Sequence, residues 1–496
     1  MILRDLLSPF KVECFDDLLL VDIKGLSLDS RRVRAGDLFF AYPGTALDGR
    51  DFIPQAVQNG AIAVLKEADE SGEGVSWCKS IPIISAKNIA PFVSQVASVF
   101  YDHPSKEMFV VGITGTNGKT SCSHLLAQAL NLLGTRAGVI GSIGCGLLDH
   151  LENTSILTTP DPITIQSILR NLSDRKVGAV TVEASSHALS QGRLAGVSVD
   201  AGVFTNLGRD HFDYHKDRAS YAQAKHKLFE MPSVHYGVFN VDDPIGLMWL
   251  NEFKNQFEVY GYAFNRSGNF SDFPLVSARD IYWGAKGLQA DVMTPWGNGT
   301  FETQLLGRFN MANLLVVIAI LGFMGYRLED ILPILSGLTP VKGRMQSCGG
   351  GSRPTIIIDN SHKPEALQSV LVALREYCLG KLICVFGCGG NRDRGKRPIM
   401  GKIAEDFADK VIVTSDNFRF EKPEEIIKDI LAGISRPNDV EIEIDRAKAI
   451  KSAINQASAG DIVLLAGKGH ELYQIVGDEY IPFSEDGIVR EVLAKR

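Results

Sequence analysis

The apolar positions of this chain fall mostly into short unbroken runs, each followed by a helical repeat and closed by a glycine-rich or polar segment. Residues 109–113 (FVVGI) form one such run. A helix follows from Lys119, with Leu126, Leu130 and Leu133 on one face, and Gly134 is a C-terminal stop. Residues 179–183 (AVTVE) are a second run, ending on Glu183. Beyond residue 355 the alternation is regular: strands at 356–358, 382–386, 411–413 and 462–466 are separated by helical stretches such as 364–377 and 423–432. This βαβα order predicts an α/β fold with a parallel sheet covered by helices on both faces.

The N-terminal part carries a turn and strand over 35–41, then a helix through Phe52, Ala56 and Val57 that ends at Asn59-Gly60, then a strand over 61–65. A helix is expected over 220–229. The apolar stretch 314–324 is too short to cross a bilayer and predicts a buried helix, so no membrane span is expected. Residues 240–305 give little beyond a continuing sheet with variable loops. Two breaks divide the chain: Pro104 within 101–105, and Pro340 and Gly343 within 339–346. Three domains are expected, over 1–103, 104–338 and 339–496, a number that suits 496 residues.

Composition narrows the classes. The net charge is −7 and the pI about 5.9, which argues against a general nucleic-acid surface. Any anionic ligand must be held by local basic groups. The eight cysteines show no metal-type CxxC spacing, and the first ten residues lack a sustained apolar core; both favour a reducing, cytoplasmic setting.

Between the 109–113 run and its helix stands Gly115-Thr116-Asn117-Gly118-Lys119-Thr120-Ser121. Such a turn aims backbone N–H groups and a helix N-terminus at one point, which suits a phosphate. Lys119 can add a point charge and Thr120 a hydroxyl for Mg²⁺. The common P-loop has a further glycine where this chain has Ile113. Glu183, at a strand end, can hold Mg²⁺ near phosphates. His211 and His215 are four apart, but Phe212 follows His211, so the HExxH zinc pattern is absent. Four polar motifs close four C-terminal strands: 359–364 (DNSHKP), 387–398 (GCGGNRDRGKRP), 415–419 (SDNFR) and 467–471 (GKGHE). A shared ligand face is the economical explanation, because open α/β sheets bind at the carboxyl ends of their strands.

The phosphate loop resembles that of the Mur ligase family, ATP-dependent enzymes that build the peptide of cell-wall precursors, and also that of the folate polyglutamate ligases. Asp29-Ser30-Arg31 with Gly36-Asp37-Leu38-Phe39, Thr205-Asn206-Leu207, Asp210 to His215, the Tyr221-x-x-Ala-Lys225 segment and the four C-terminal motifs resemble the Mur branch that adds the third residue. The resemblance implies a three-domain architecture: an N-terminal UDP-binding domain, a central P-loop ATPase domain and a C-terminal Rossmann-like domain.

It also implies roles. ATP would be held by Gly115, Thr116, Asn117, Gly118, Lys119, Thr120, Ser121, Asn310, Arg344, Asp359 and His362. The UDP-N-acetylmuramoyl-dipeptide would be held by Leu28, Ser30, Gly44, Thr45, Ala46, Thr158, Thr159, Ser185, Gln191 and Arg193. Arg392, Asp416, Asn417, Phe418, Arg419, Gly467 and Glu471 would bind meso-diaminopimelate. Mg²⁺ would sit on Thr120 and Glu183, and on His211 with Lys225, the latter carboxylated by CO₂; by physics alone Lys225 is an ordinary solvated helix lysine. Lys119, Lys225, His211 and Glu183 would be the catalytic set, and a monomer is expected. Phe418 stands where the pattern has Pro, and Asn360-Ser361 where it has Tyr-Ala.

Overall fold

The computed structural model describes all residues except 9–19, 45–46, 71, 153–156, 212–213, 265–271, 285–286 and 496, and the side chains of 283, 284 and 287. Two compact units are present. One comprises residues 1–114, 134–202 and 224–236, the other 115–133, 203–223 and 237–496.

The first unit opens with a five-stranded sheet in the order Gly25–Ser27, Asp37–Ala41, Ala63–Glu67, Ile81–Ala86, Gly74–Cys78, parallel except for the last pair. Its inner strands Asp37–Ala41, Ala63–Glu67 and Ile81–Ala86 are largely apolar because both faces are covered, whereas the edge strand Gly74–Cys78 is mostly exposed. Leu38, Phe40 and Leu65 meet Val93 and Val96 of the Ile89–Phe100 helix on one side, while Phe39 and Val64 meet Ala56 of the Ile53–Gln58 helix on the other. The same unit holds Phe109–Thr114, Ala179–Glu183 and Ala137–Gly141 as parallel neighbours, extended by the antiparallel Gly144–Leu147 and His150–Glu152.

In the second unit, a six-stranded sheet runs Gln346–Gly349, Thr355–Asp359, Ile462–Ala466, Leu382–Phe386, Lys410–Val413, Glu441–Ile442, parallel apart from its first pair. Side chains alternate between two cores. Leu382, Cys384 and Phe386 pack under the helices Pro364–Arg375, Lys396–Phe407 and Pro423–Leu431. Ile383 and Val385 pack under Arg446–Gln456 and Glu485–Ala494. This two-sided burial is why the strands read as continuous apolar runs. The Arg308–Phe323 helix is buried nearly all round, as its sequence predicts.

Residues 240–305 hold more order than the sequence reading drew from them. Leu275–Gly284, Gly287–Thr294 and Gly297–Thr303 form an antiparallel ladder, joined in parallel by Glu258–Phe264. Leu288, Ala290 and Val292 point inward and alternate with Gln289 and Asp291, so a period of two was present in a stretch whose small and polar residues obscure it.

Candidate active site

The phosphate loop lies in the second unit. Gly115 and Gly118 take φ +145° and +88°, and a Cβ at Gly115 would run into the Thr205 hydroxyl. Thr205, Asn206 and the loop are cross-tied: Thr116 N donates to Asn206 O (2.8 Å), Asn117 N to Asn206 Oδ1 (2.9 Å), and Thr205 Oγ1 to Asn117 O (2.6 Å). The Lys119–Leu132 helix starts at Gly118, which has no side chain to cap it. Lys119 Nζ folds back on the carbonyls of Gly115 (2.8 Å) and Thr116 (3.1 Å), a position from which it can swing to an anion over the loop.

Two expected nucleotide residues join this cluster. Arg344 Nη2 donates to Thr120 Oγ1 at 3.2 Å. Asn310 accepts from Asn313, which accepts from Cys122 on the loop helix. With its amide turned to satisfy its neighbours, Asn360 accepts from Arg344 Nη1 (2.8 Å) and Nη2 (2.9 Å) and donates to Gly467 O (2.6 Å). Ser121 is half-buried on the first helical turn. Asp359 holds Met345 N; burial raises its pKa, with the Arg344 charge opposing. The His362 ring is pushed down to about 3, chiefly by burial and then by the Lys363 and Lys396 charges, so it is neutral near pH 7.

The second unit also contains a crevice of about 180 Å³ at the carboxyl ends of the C-terminal strands, lined among others by Asp210, Lys363, Arg392, Asp416, Arg419 and Glu471. Asn417 Nδ2 donates to Glu471 (2.9 Å), and the fully buried Lys468 donates to Asn417 Oδ1 (2.8 Å) and Glu471 (3.0 Å). Asp416 stays below the usual carboxylate range: burial opposes this, but Lys468 and Arg446 outweigh it. Gly467 has φ +120°, and a Cβ there would come 2.7 Å from Asp416 Oδ2. Phe418 turns toward the apolar core beneath. Arg419 Nη1 rests on the carbonyls of Gly390 (3.0 Å) and Asn417 (3.2 Å); burial and then the nearby Arg392 charge lower its pKa. Among the described residues neither Arg392 nor Arg419 forms an ion pair with a carboxylate. Two guanidiniums that repel each other at the wall of a crevice make a site for an anion.

In the first unit Glu183 is fully buried, its carboxylate accepting from Ser142 N (2.9 Å) and Ser142 Oγ (3.1 Å). Gly141 leaves room for it, since a Cβ there would strike the carboxylate. Ser142 Oγ lies 3.2 Å from Thr158 Oγ1; Thr159 Oγ1 donates to Glu183 O (2.6 Å) and lies 2.9 Å from Ser185 Oγ; Arg193 donates to Thr159 O (2.6 Å) and to Gln191 Oε1. Five expected dipeptide-site residues therefore form one connected cluster with Glu183. Ser30 is buried and donates to Gln55, Leu28 is half-buried, and Gly44 N donates to Leu47 O. Thr45 and Ala46 lie outside the described residues. Tyr42, just before that loop, has its pKa raised by burial and by Asp161, with Arg193 opposing.

Lys225 departs from the solvated lysine that physics alone suggests: it is 1% exposed. His211, at φ 56°, has Nε2 3.0 Å from Asp210 Oδ2. Ser142, Asp210, Lys363 and Lys468 also stand in these clusters, though no motif singles them out individually. The last three stand inside quoted motifs; Ser142 follows a strand-end glycine and carries no comparable signal.

A glycine-cornered phosphate loop, parallel sheets and ligand-facing strand ends define the class, an α/β protein built around a phosphate site. Residues 22–101 match the model of the Mur ligase family catalytic domain, 113–321 the Mur ligase middle domain, and 343–469 the Mur ligase glutamate ligase domain. The chain belongs to the Mur ligase family. It is 47% identical over 464 residues to the UDP-N-acetylmuramoyl-L-alanyl-D-glutamate–2,6-diaminopimelate ligase of Coxiella burnetii, covering 93% of this chain and 94% of that protein. The corresponding ligase of Pseudomonas putida is 45% identical, over 93% of each. A solved structure of a ligase of the same name aligns at TM-score 0.70 and 32% identity, over 100% of this chain and 99% of the other. A folylpolyglutamate synthase of Mycobacterium tuberculosis shares the fold at TM-score 0.63 and 17% identity, over 77% of this chain and 92% of that one.

Proposed function

We propose that this protein is an ATP-dependent amide ligase that adds meso-diaminopimelate to UDP-N-acetylmuramoyl-L-alanyl-D-glutamate, in the cytoplasm and as a monomer. The observation that carries the amino-acid choice is the crevice holding Arg392 and Arg419, without carboxylate partners among the described residues, beside Asp416 and Glu471. Carboxylates there suit an amino group, and the guanidiniums suit carboxylates. The relatives carry the same substrate in their names.

The chemistry is activation of a carboxylate. An oxygen of the D-glutamate γ-carboxylate attacks the γ-phosphorus of ATP, and ADP leaves. The diaminopimelate amine then attacks the acyl phosphate carbon; the nitrogen loses a proton and inorganic phosphate departs. Two anions meet in the first step. Lys119 and the helix N-terminus behind Gly118 reduce their repulsion, and Arg344 adds charge beside Thr120. Gly115, Thr116, Asn117 and Ser121 shape the phosphate site, with Asn310, Asp359 and His362 at its edges.

Thr158, Thr159, Ser185, Gln191 and Arg193 orient the dipeptide, and Leu28, Ser30 and the Gly44 loop hold the uridine nucleotide. Asp416, Asn417, Gly467 and Glu471 take the amino-acid end of diaminopimelate. For Mg²⁺, the Thr120 hydroxyl and the Glu183 carboxylate would supply hard oxygen donors of the kind this ion takes, and His211 with a carboxylated Lys225 would serve a second ion. When bound, Mg²⁺ neutralises phosphate charge. The parts fall into 1–103 for the nucleotide sugar, 104–338 for ATP and 339–496 for the amino acid. The test is phosphate release from ATP with the UDP-dipeptide and each candidate amino acid in turn. Release with lysine but not diaminopimelate overturns the assignment.

A further inference from the structure

The two arginines that face the crevice stand on separate loops, 389–392 and 417–421, outside the helices and strands apart from one isolated bridge at Arg419. Each loop contains a residue in the left-handed region, Asn391 and Arg419, both at φ 52°. Such backbone persists only where its surroundings over-determine it. At Arg419 the backbone N donates to Ile475 O (3.1 Å) and the carbonyl accepts from Gly477 N (2.9 Å); at the first loop Arg397, on the first turn of the Lys396–Phe407 helix and 0% exposed, supplies the constraint. Its Nη2 donates to Gly389 O (3.2 Å) and Glu421 Oε1 (2.9 Å), and its Nη1 to Glu421 Oε2 (2.9 Å) and Asp429 Oδ2 (2.8 Å). Glu421 Oε1 also accepts from Asn391 N.

One buried guanidinium therefore grips the first loop at Gly389 and, through Glu421, both Asn391 and the end of the second loop. Asp429 anchors it to the Pro423–Leu431 helix. Arg419 Nη1 in turn rests on Gly390 O, so any drift of 389–391 moves both crevice arginines. Arg397 lines no part of the crevice itself.

We propose that Arg397 is a positioning residue for amino-acid selection: by tying the two loops together it sets the spacing of Arg392 and Arg419 that matches a carboxylate. The proposal rests on the diaminopimelate reading above. Lysine cannot replace Arg397, because an ammonium is a point charge without the planar fork that serves Gly389, Glu421 and Asp429 at once.

The test pairs Arg397→Lys with Glu421→Gln, which leaves Arg397 in place but weakens the tie to Asn391. In each variant, the specificity constants for diaminopimelate and lysine are measured alongside KM for ATP and for the UDP-dipeptide. Both variants are expected to lower kcat/KM for diaminopimelate by about 10- to 100-fold and to narrow its preference over lysine. KM for ATP and for the UDP-dipeptide should stay unchanged. A general loss of structure would move all substrates together and overturn the proposal, as would an unchanged preference in a folded Glu421→Gln variant, which decides the matter if Arg397→Lys does not fold. A wild-type enzyme that ligates without preferring diaminopimelate would instead overturn the functional reading, and the proposal with it.

Discussion

Lys363 Nζ lies 2.7 Å from Asp210 Oδ2 and donates to the Thr116 carbonyl at 3.1 Å. One ammonium thus joins the motif after the Thr355–Asp359 strand to the Asp-His motif and to the phosphate loop. Asp210 is held well below the usual carboxylate range: its burial works against ionisation, but the Lys363 charge and the hydrogen bond with His211 prevail.

Replacing Lys363 by Met should cost about 3 kcal/mol of stability at pH 7, because a buried carboxylate loses its partner. The sign with pH follows from the depressed pKa. The stabilisation is complete above the unfolded value of about 3.9 and is lost as pH falls through the folded one. The difference between wild type and variant in urea unfolding should therefore shrink below about pH 4. A gap that is constant from pH 7 to 3 would show that the pair does not act through the Asp210 charge.

Lys119→Ala should abolish ligation with little loss of stability. In the structure its ammonium donates to the Gly115 and Thr116 carbonyls, contacts worth about 1 kcal/mol each, whereas the reaction needs its charge on phosphate. The check is thermal unfolding beside phosphate release; ligation at the wild-type rate would remove Lys119 from the mechanism.

Lys225 is buried, unlike most helix lysines. If CO₂ carboxylates it, Lys225→Ala should be inactive, with partial recovery on adding short carboxylates. Electron density at Nζ in a nucleotide-bound crystal gives the direct readout, and a bare amine remote from metal would refute the carbamate.

Arg419→Ala should raise KM for diaminopimelate strongly, leave ATP and UDP-dipeptide binding nearly unchanged, and reduce the preference over lysine. A guanidinium facing lysine would lack its carboxylate, so the wild-type site rejects as well as selects. An unchanged ratio of specificity constants would pass the role to Arg392.

Elements whose cause is local can be read from the chain alone. The strands 179–183, 382–386 and 462–466 are legible because burial on both faces demands an unbroken apolar run, and the structure has them at those bounds. The phosphate loop is legible because only glycine tolerates the turn that meets Thr205. Which charges meet depends on the folded arrangement. Asp210, Lys363 and Arg397 stand inside polar motifs and Glu421 just beyond one, but nothing in their spacing says that Arg397 is buried with two carboxylates or that Lys363 reaches Thr116. Periodicity is written in neighbouring residues, but the partner of a charge, and the burial that gives it strength, depend on segments brought together from far along the chain.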